Sequence, residues 1–270
     1  MNNARMFTAL RRKNSGVFGA SLGTGQVEGV EAIVMECAAE GADLGQAAYI
    51  LATAYGETGG KMRPVRENMN YSAKRIPEVF GAQRRQGLSA ARLSGNPQLL
   101  ANTVYGGNWG ERVLGNRPGT SDGWDFRGFW IGQITGRHNA KKWGDNLRVD
   151  LLANPALLDD FDLAIKGLVR PMLEGWATGK ELREYVYGDH RDYESARRVW
   201  NGTFAAKKYA GYARAFEKAL EEAGYEPKPY ERTVAPVPRA AEPTAPAAPD
   251  EWWIMAIING ILAAFRKGTK

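Results

Sequence analysis

Two carboxyl side chains stand ten residues apart in AAYILATAYGETGGKMRPVRENMNYS, residues 47–72. Ala47, Ile50, Leu51 and Ala54 recur at i, i+3, i+4 and i+7, the spacing of one core-facing helical stripe. Glu57 continues that stripe, and Thr58-Gly59-Gly60 then stops the helix. Glu67 lies between Arg66 and Asn68, with Arg63 a turn away. Burial raises a carboxyl pKa and nearby cations lower it. Two acids whose surroundings push their pKa values apart can divide the work of a general acid and a general base. The spacing predicts an apolar setting for Glu57 and a basic, polar one for Glu67. It equally suits a helix-ending Glu and an ordinary surface Glu.

Other chemistries find less support. With two histidines and one cysteine, a His/Cys metal site is not expected. Cys37 falls on an apolar stripe with Val30, Ile33 and Val34 and reads as a core residue. Gly19-Ala-Ser-Leu-Gly-Thr-Gly25 is Gly-rich but lacks the Lys and Ser/Thr of a phosphate loop, so it reads as a connector. Two further stretches carry polar residues among aromatic ones. They are DGWDFRGFWIGQITGRHN, residues 122–139, and RRVWNG, residues 197–202.

GETGG followed by RENMNYS resembles the active-site segment of glycoside hydrolase family 19, the chitinases and the phage endolysins that share their fold. The resemblance implies that Glu57 is the catalytic acid and Glu67 the base. The 122–139 stretch resembles the family segment in which a Ser/Thr, here Thr135, holds the attacking water. Tyr71, Trp124, Arg127, Gln133 and Asn139 would then line the sugar cleft, and Asn201 in the late Asn-Gly segment would bind substrate. Gly56 stands where the family usually has His. Arg127-Gly128-Phe129-Trp130 replaces an Arg-Gly-Arg-Gly run, and Gly132 precedes Gln133. His138, at a position often aromatic in the family, is expected to pack or to form cleft wall. The implied enzyme is a phage-type peptidoglycan glycosidase, inverting, needing no cofactor and no metal. A chitinase and a non-catalytic wall-binding or virion protein are the alternatives. Glu57→Gln should then abolish activity while keeping shape and burial.

Helices must hold these residues in place. The sequence predicts them over 26–39, 47–57, 98–105 (Asn96 as cap, Pro97 first), 154–168, 175–187 and 207–223. Residues 106–123 read as a long loop, and Pro171 as a kink or stop. The predicted fold is mainly α. The resemblance makes it a lysozyme-like helical domain with a deep substrate cleft and at most a small β-hairpin. That domain is assigned to residues 1–225. A linker over 226–250 follows, because seven of the 13 prolines fall in residues 227–249. Residues 251–270 form the last segment.

Trp252–Phe265, WWIMAIINGILAAF, is too short to span ~30 Å of hydrocarbon. Fronted by paired Trp and followed by Arg266-Lys267, it predicts a helix that rests on a membrane surface or docks on a virion partner. The net charge of +6 favours anionic partners such as the peptidoglycan glycan strands of a bacterial envelope. No basic helix or basic-aromatic sheet motif points to nucleic acid. MNNARMFTALRRKNSG has no apolar run after it and does not read as a secretory signal. The expected course is synthesis in the host cytoplasm and passage to the periplasm through a holin, or carriage in a virion.

Overall fold

A computed structural model describes residues 1–227. The Trp252–Phe265 segment and nearly all of the Pro/Ala stretch lie outside the described residues. The helices are α1 (Asn3–Leu10), α2 (Thr24–Ala39), α3 (Leu44–Glu57), α4 (Arg75–Val79), α5 (Ala90–Leu93), α6 (Pro97–Val104), α7 (Gly107–Leu114), α8 (Asp122–Asp125), α9 (Arg137–Leu147), α10 (Phe161–Glu174) and α11 (Ala206–Ala223). Among the described residues the strands are β1 (Val186–Tyr187) and β2 (His190–Arg191), an antiparallel pair, with an isolated bridge between Phe129 and Ile134. The fold is mainly α, as expected. Two compact units divide it, residues 1–62 with those from 168 onward, and residues 63–167.

The first unit is built on α3. Asp43 caps it, accepting from the Gln46 N–H at 2.8 Å, while Gln46 Oε1 accepts from the Asp43 N–H. The expected single stripe is corrected here. Ala47, Ala48, Tyr49, Ile50, Leu51, Ala52 and Ala54 are all fully buried, so the helix is enclosed on nearly every side. Its small residues allow α2 and α11 to pack closely on it, and α1 packs on α11. At its end Thr58 Oγ1 bonds back to the Ala54 carbonyl, and Gly59 and Gly60 turn the chain at φ 66° and 81°, values that glycine adopts without strain. Gly29 on α2 admits the Met62 carbonyl, which would lie 1.9 Å from any Cβ there.

Three expected boundaries moved. Residues 106–123 contain α7 and part of α8 rather than a continuous loop. Asn154-Pro155 opens a 3-10 turn, Pro155–Asp159, and the long helix begins only at Phe161, where Asp160 accepts from the Leu163 N–H at 2.8 Å. Pro171 then lies inside α10 without ending it. Proline has no N–H to offer the carbonyl four residues back. That carbonyl, of Gly167, accepts instead from Trp143 Nε1 at 2.9 Å. The helix expected over 175–187 is absent. Gly175 and Gly179 take φ 76° and 78°, and a 3-10 turn, Leu182–Glu184, leads into β1.

In the second unit α6 packs with α8, and α7 with α9. Tyr71, Phe80 and Tyr105 form an edge-to-face chain, with centroids 5.4 and 6.2 Å apart. Trp130 is fully buried, donates from Nε1 to the Leu157 carbonyl and faces Gly167, where a Cβ would meet its ring at 2.5 Å. It holds φ 58°, a left-handed conformation that costs a bulky residue roughly 1–3 kcal/mol. Burial of the indole offsets that strain.

Candidate active site

Glu57 is the last residue of α3 and is 4% exposed. Arg197, from the 3-10 turn Ser195–Val199, places Nη2 2.8 Å from its Oε1. Tyr209 on α11 donates its hydroxyl to the same oxygen at 2.9 Å. The Arg197 guanidinium carbon also lies 3.8 Å from the Tyr209 ring centroid, a cation–π contact. Among the described residues both Glu57 contacts converge on Oε1, so the carboxyl is held by one oxygen. Burial first, and the adjacent Glu57 carboxylate next, push the Tyr209 phenol well above its usual value, so it stays a hydroxyl donor.

Several polar atoms near Arg197 are buried without a hydrogen-bond partner among the described residues. They are Arg197 Nη1, Tyr49 Oη and both amide atoms of Asn201, a residue only 1% exposed. Asn201 is tied to the same turn, its N–H donating to the Arg197 carbonyl at 2.9 Å. Natively folded chains rarely leave such groups unsatisfied, and a cluster of them marks a place that a polar ligand can complete.

Glu67, in the second unit, is 5% exposed. Tyr105 Oη donates to its Oε1 at 2.7 Å and the Gly128 N–H to its Oε2 at 3.2 Å. Its backbone is fixed as well. The Glu67 N–H donates to the Gly128 carbonyl, and Arg127 Nε donates to the Glu67 carbonyl at 3.1 Å. Burial pushes the Glu67 carboxyl above the ordinary glutamate value. The Tyr105 hydroxyl, the Gly128 N–H, Arg127 and Arg84 pull it down without cancelling that effect. A carboxyl with a raised folded pKa contributes stability in acid, below its unfolded value, and loses it as pH rises through the folded one. Ionised Glu67 at neutral pH therefore costs stability.

These surroundings reverse the expected ones. Glu57 has a cation on it rather than an apolar setting, and Glu67 is the carboxyl lifted by burial. The cations beside Glu67 in sequence are aimed elsewhere. Arg66 donates to the Asp125 carbonyl, and Arg63 sits over the Phe161 ring.

The structure gathers several predicted residues around Glu67. Arg127 also donates to the Trp124 carbonyl and stacks on its ring at 3.6 Å, so it braces the base loop and Trp124 together. Gln133 sits at φ 53°, its Nε2 donating to the Val65 and Trp130 carbonyls and its buried Oε1 without a partner among the described residues. A Cβ on Gly128 would meet Gln133 Oε1 at 2.8 Å and Glu67 Oε2 at 3.4 Å, which places both oxygens against that glycine. Tyr71 is buried beside Phe80, and burial and the Glu67 charge raise its phenol. Thr135 is buried, with its hydroxyl 3.4 Å from the Gln133 carbonyl, and Asn139 Nδ2 donates to the Thr135 carbonyl. Among the described residues no hydrogen bond joins Thr135 to Glu67. His138 packs over Gly115.

Four contributors escaped sequence reasoning. Arg197 stood in the quoted RRVWNG stretch without a role. Tyr209 lay inside the predicted 207–223 helix without a role, Tyr105 ended the predicted 98–105 helix, and Gly128 stood in the run that replaces Arg-Gly-Arg-Gly. An Arg that falls in an otherwise buried segment is the signal that was there to read.

Over 129 residues, 46% of its length, the chain is 33% identical to a protein of Haemophilus influenzae named glycosyl hydrolase family 19 domain-containing protein. The chain resembles glycoside hydrolase family 19. It spans 59% of the length of that relative. No family model matches the chain. Among solved structures, chitinase C from Streptomyces griseus HUT6037 aligns with 85% of this chain and 78% of its own, at 13% identity and a TM-score of 0.38. A bacterial family 19 chitinase aligns with 85% of this chain and 97% of its own, at 17% identity and a TM-score of 0.37. Overlaps this loose establish neither fold nor chemistry. The family 19 likeness therefore rests on the sequence match and on the two acidic and aromatic segments.

Proposed function

We propose that this chain is a peptidoglycan glycosidase of the endolysin or virion-associated kind, hydrolysing β-1,4 bonds of cell-wall glycan with inversion. Glu57, protonated in the reacting complex, gives its proton to the glycosidic oxygen as the C–O bond breaks, and the carboxylate left behind pairs with Arg197 as in the free protein. Glu67 takes a proton from a water, positioned with the help of Thr135, as that water attacks the anomeric carbon. Tyr71, Trp124, Gln133, Asn139 and Asn201 hold the sugars. The observation that carries the reading is that both carboxyls are buried and each is held by a tyrosine hydroxyl, with both amide atoms of Asn201 and the amide oxygen of Gln133 buried without a partner among the described residues. The net charge of +6 favours an anionic wall over neutral chitin as the substrate. Outer-membrane-stripped Gram-negative cells should clear in a turbidity assay, and colloidal chitin should release little sugar. Release of soluble sugar from chitin alone would make the chain a chitinase, and no turnover of either would make it a binding protein.

The base assignment has a pH consequence. Glu67 must be ionised to accept a proton, so the acid limb of the activity profile follows its raised pKa. Tyr105→Phe removes a hydrogen bond that favours the ionised form, so the limb should move to higher pH. Activity on the acid side of the profile should fall by about fivefold, and that on the alkaline plateau should hardly change. Superimposable profiles would separate Glu67 from the limb.

The apolar Trp252–Phe265 segment is proposed to reach a membrane surface or virion partner, with delivery by holin or virion. The place to cut follows from the fold. Tyr225 is buried and donates to the Ala42 carbonyl at 2.9 Å, so the chain should end after Pro227. That truncation should leave turnover of soluble wall fragments nearly unchanged and remove co-sedimentation with anionic liposomes. Unchanged co-sedimentation would dismiss the segment as anchor.

A further inference from the structure

Glycine at position 56 and tyrosine at position 209 form one device. A Cβ on Gly56 would lie 2.2 Å from Tyr209 Cε1, 2.4 Å from Cζ and 2.6 Å from Oη. Real side chains do not approach so closely, and the ring cannot yield easily. Tyr209 is buried on α11, and the Arg197 guanidinium lies over it. Gly56 sits inside α3, not at a turn, so left-handed backbone does not explain it. Glycine in the last turn of the helix gives up the backbone restriction that alanine would supply, and what it yields here is space.

The phenol fills that space and ends on Glu57 Oε1 at 2.9 Å. We propose that Tyr209 is the positioning residue for Glu57, and that Gly56 exists to let its ring reach the carboxyl from the helix's own flank. Tyr209 and Arg197 grip one oxygen of the carboxyl. The other oxygen is then fixed in direction and can carry the proton toward a glycosidic oxygen. A rotating carboxyl would lose this alignment, and misplacement of about 1 Å can cost on the order of a hundredfold in rate. The proposal rests on Glu57 being the acid.

Tyr209→Phe tests it, because the ring, its contact with Arg197 and the packing against Gly56 all remain. The kcat on purified peptidoglycan should fall by at least about tenfold with KM little changed and thermal stability near wild type. Gly56→Ala should lower kcat by a similar factor, by pushing the ring off Glu57. The double variant should be no worse than the more impaired single one, since both act on the same hydrogen bond. A kcat for Tyr209→Phe within twofold of wild type would overturn the proposal, as would losses that multiply in the double variant. Glu57→Gln separates this failure from that of the proposed function. If Glu57→Gln is inactive while Tyr209→Phe is normal, the acid stands and the positioning role falls. If Glu57→Gln is as active as wild type, the acid itself falls.

Discussion

Glu57→Gln should leave less than about 1% of wild-type activity on peptidoglycan at every pH, because a general acid contributes roughly 10²–10⁴-fold and an amide has no proton to transfer. The same substitution should also weaken the fold, contrary to the expectation from sequence that shape and burial would be preserved at little cost. Arg197 is fully buried, and Glu57 is its one ion-pair partner among the described residues. The amide oxygen can still accept from Arg197 and Tyr209, but the negative charge is gone and a buried cation stays behind. Removing one partner of a buried pair costs about 3–5 kcal/mol, and the retained hydrogen bonds place this case near the lower end. For a protein of this size that is a fall in Tm on the order of 6–12 °C. Activity must therefore be assayed well below the new transition, with circular dichroism confirming the fold. More than about 5% residual activity in folded protein would remove Glu57 as the acid.

Both carboxyls could be found in the sequence because helix periodicity and a Gly-Gly stop are local signals. Glu57 ends an apolar helix, as its spacing said. Its electrical surroundings could not be read locally. The cation on Glu57 comes from Arg197, 140 residues further on, and the hydroxyl from Tyr209, 152 further on. Arg63 and Arg66, adjacent to Glu67, point to Phe161 and Asp125 instead, while the residues that touch its carboxyl are Tyr105 and Gly128. Sequence neighbours set the backbone, whereas partners of a buried charge are chosen by tertiary packing. The helix misreadings have the same origin. Pro171 is tolerated in α10 because Trp143 satisfies the carbonyl that proline abandons, a contact between residues 24 apart from acceptor to donor. The absent helix over 175–187 was locally legible. Two glycines four residues apart were available to take left-handed φ.

Arg197→Met should be the most destabilising single change at the site. The thioether roughly fills the volume of the alkyl stem but leaves the Glu57 carboxylate buried with only the Tyr209 hydroxyl. It also frees the Phe204 carbonyl, which Arg197 Nε holds at 3.2 Å, in the chain that follows Asn201. A loss of about 3–5 kcal/mol is expected, or a Tm lower by roughly 6–20 °C. Activity should fall at least about a hundredfold, since Glu57 loses one of its two holds and Asn201 the turn that seats it. The pair Arg197→Met with Glu57→Gln distinguishes a charge effect from a packing effect. If the cost of each single change is an uncompensated buried charge, the double variant removes both charges and should melt higher than either single variant. If the cost is mainly packing around the 195–204 turn, the double variant should melt no higher than Arg197→Met alone. An Arg197→Met protein that melts within about 2 °C of wild type would mean that the ion pair contributes little to the fold and that Glu57 is held chiefly by Tyr209.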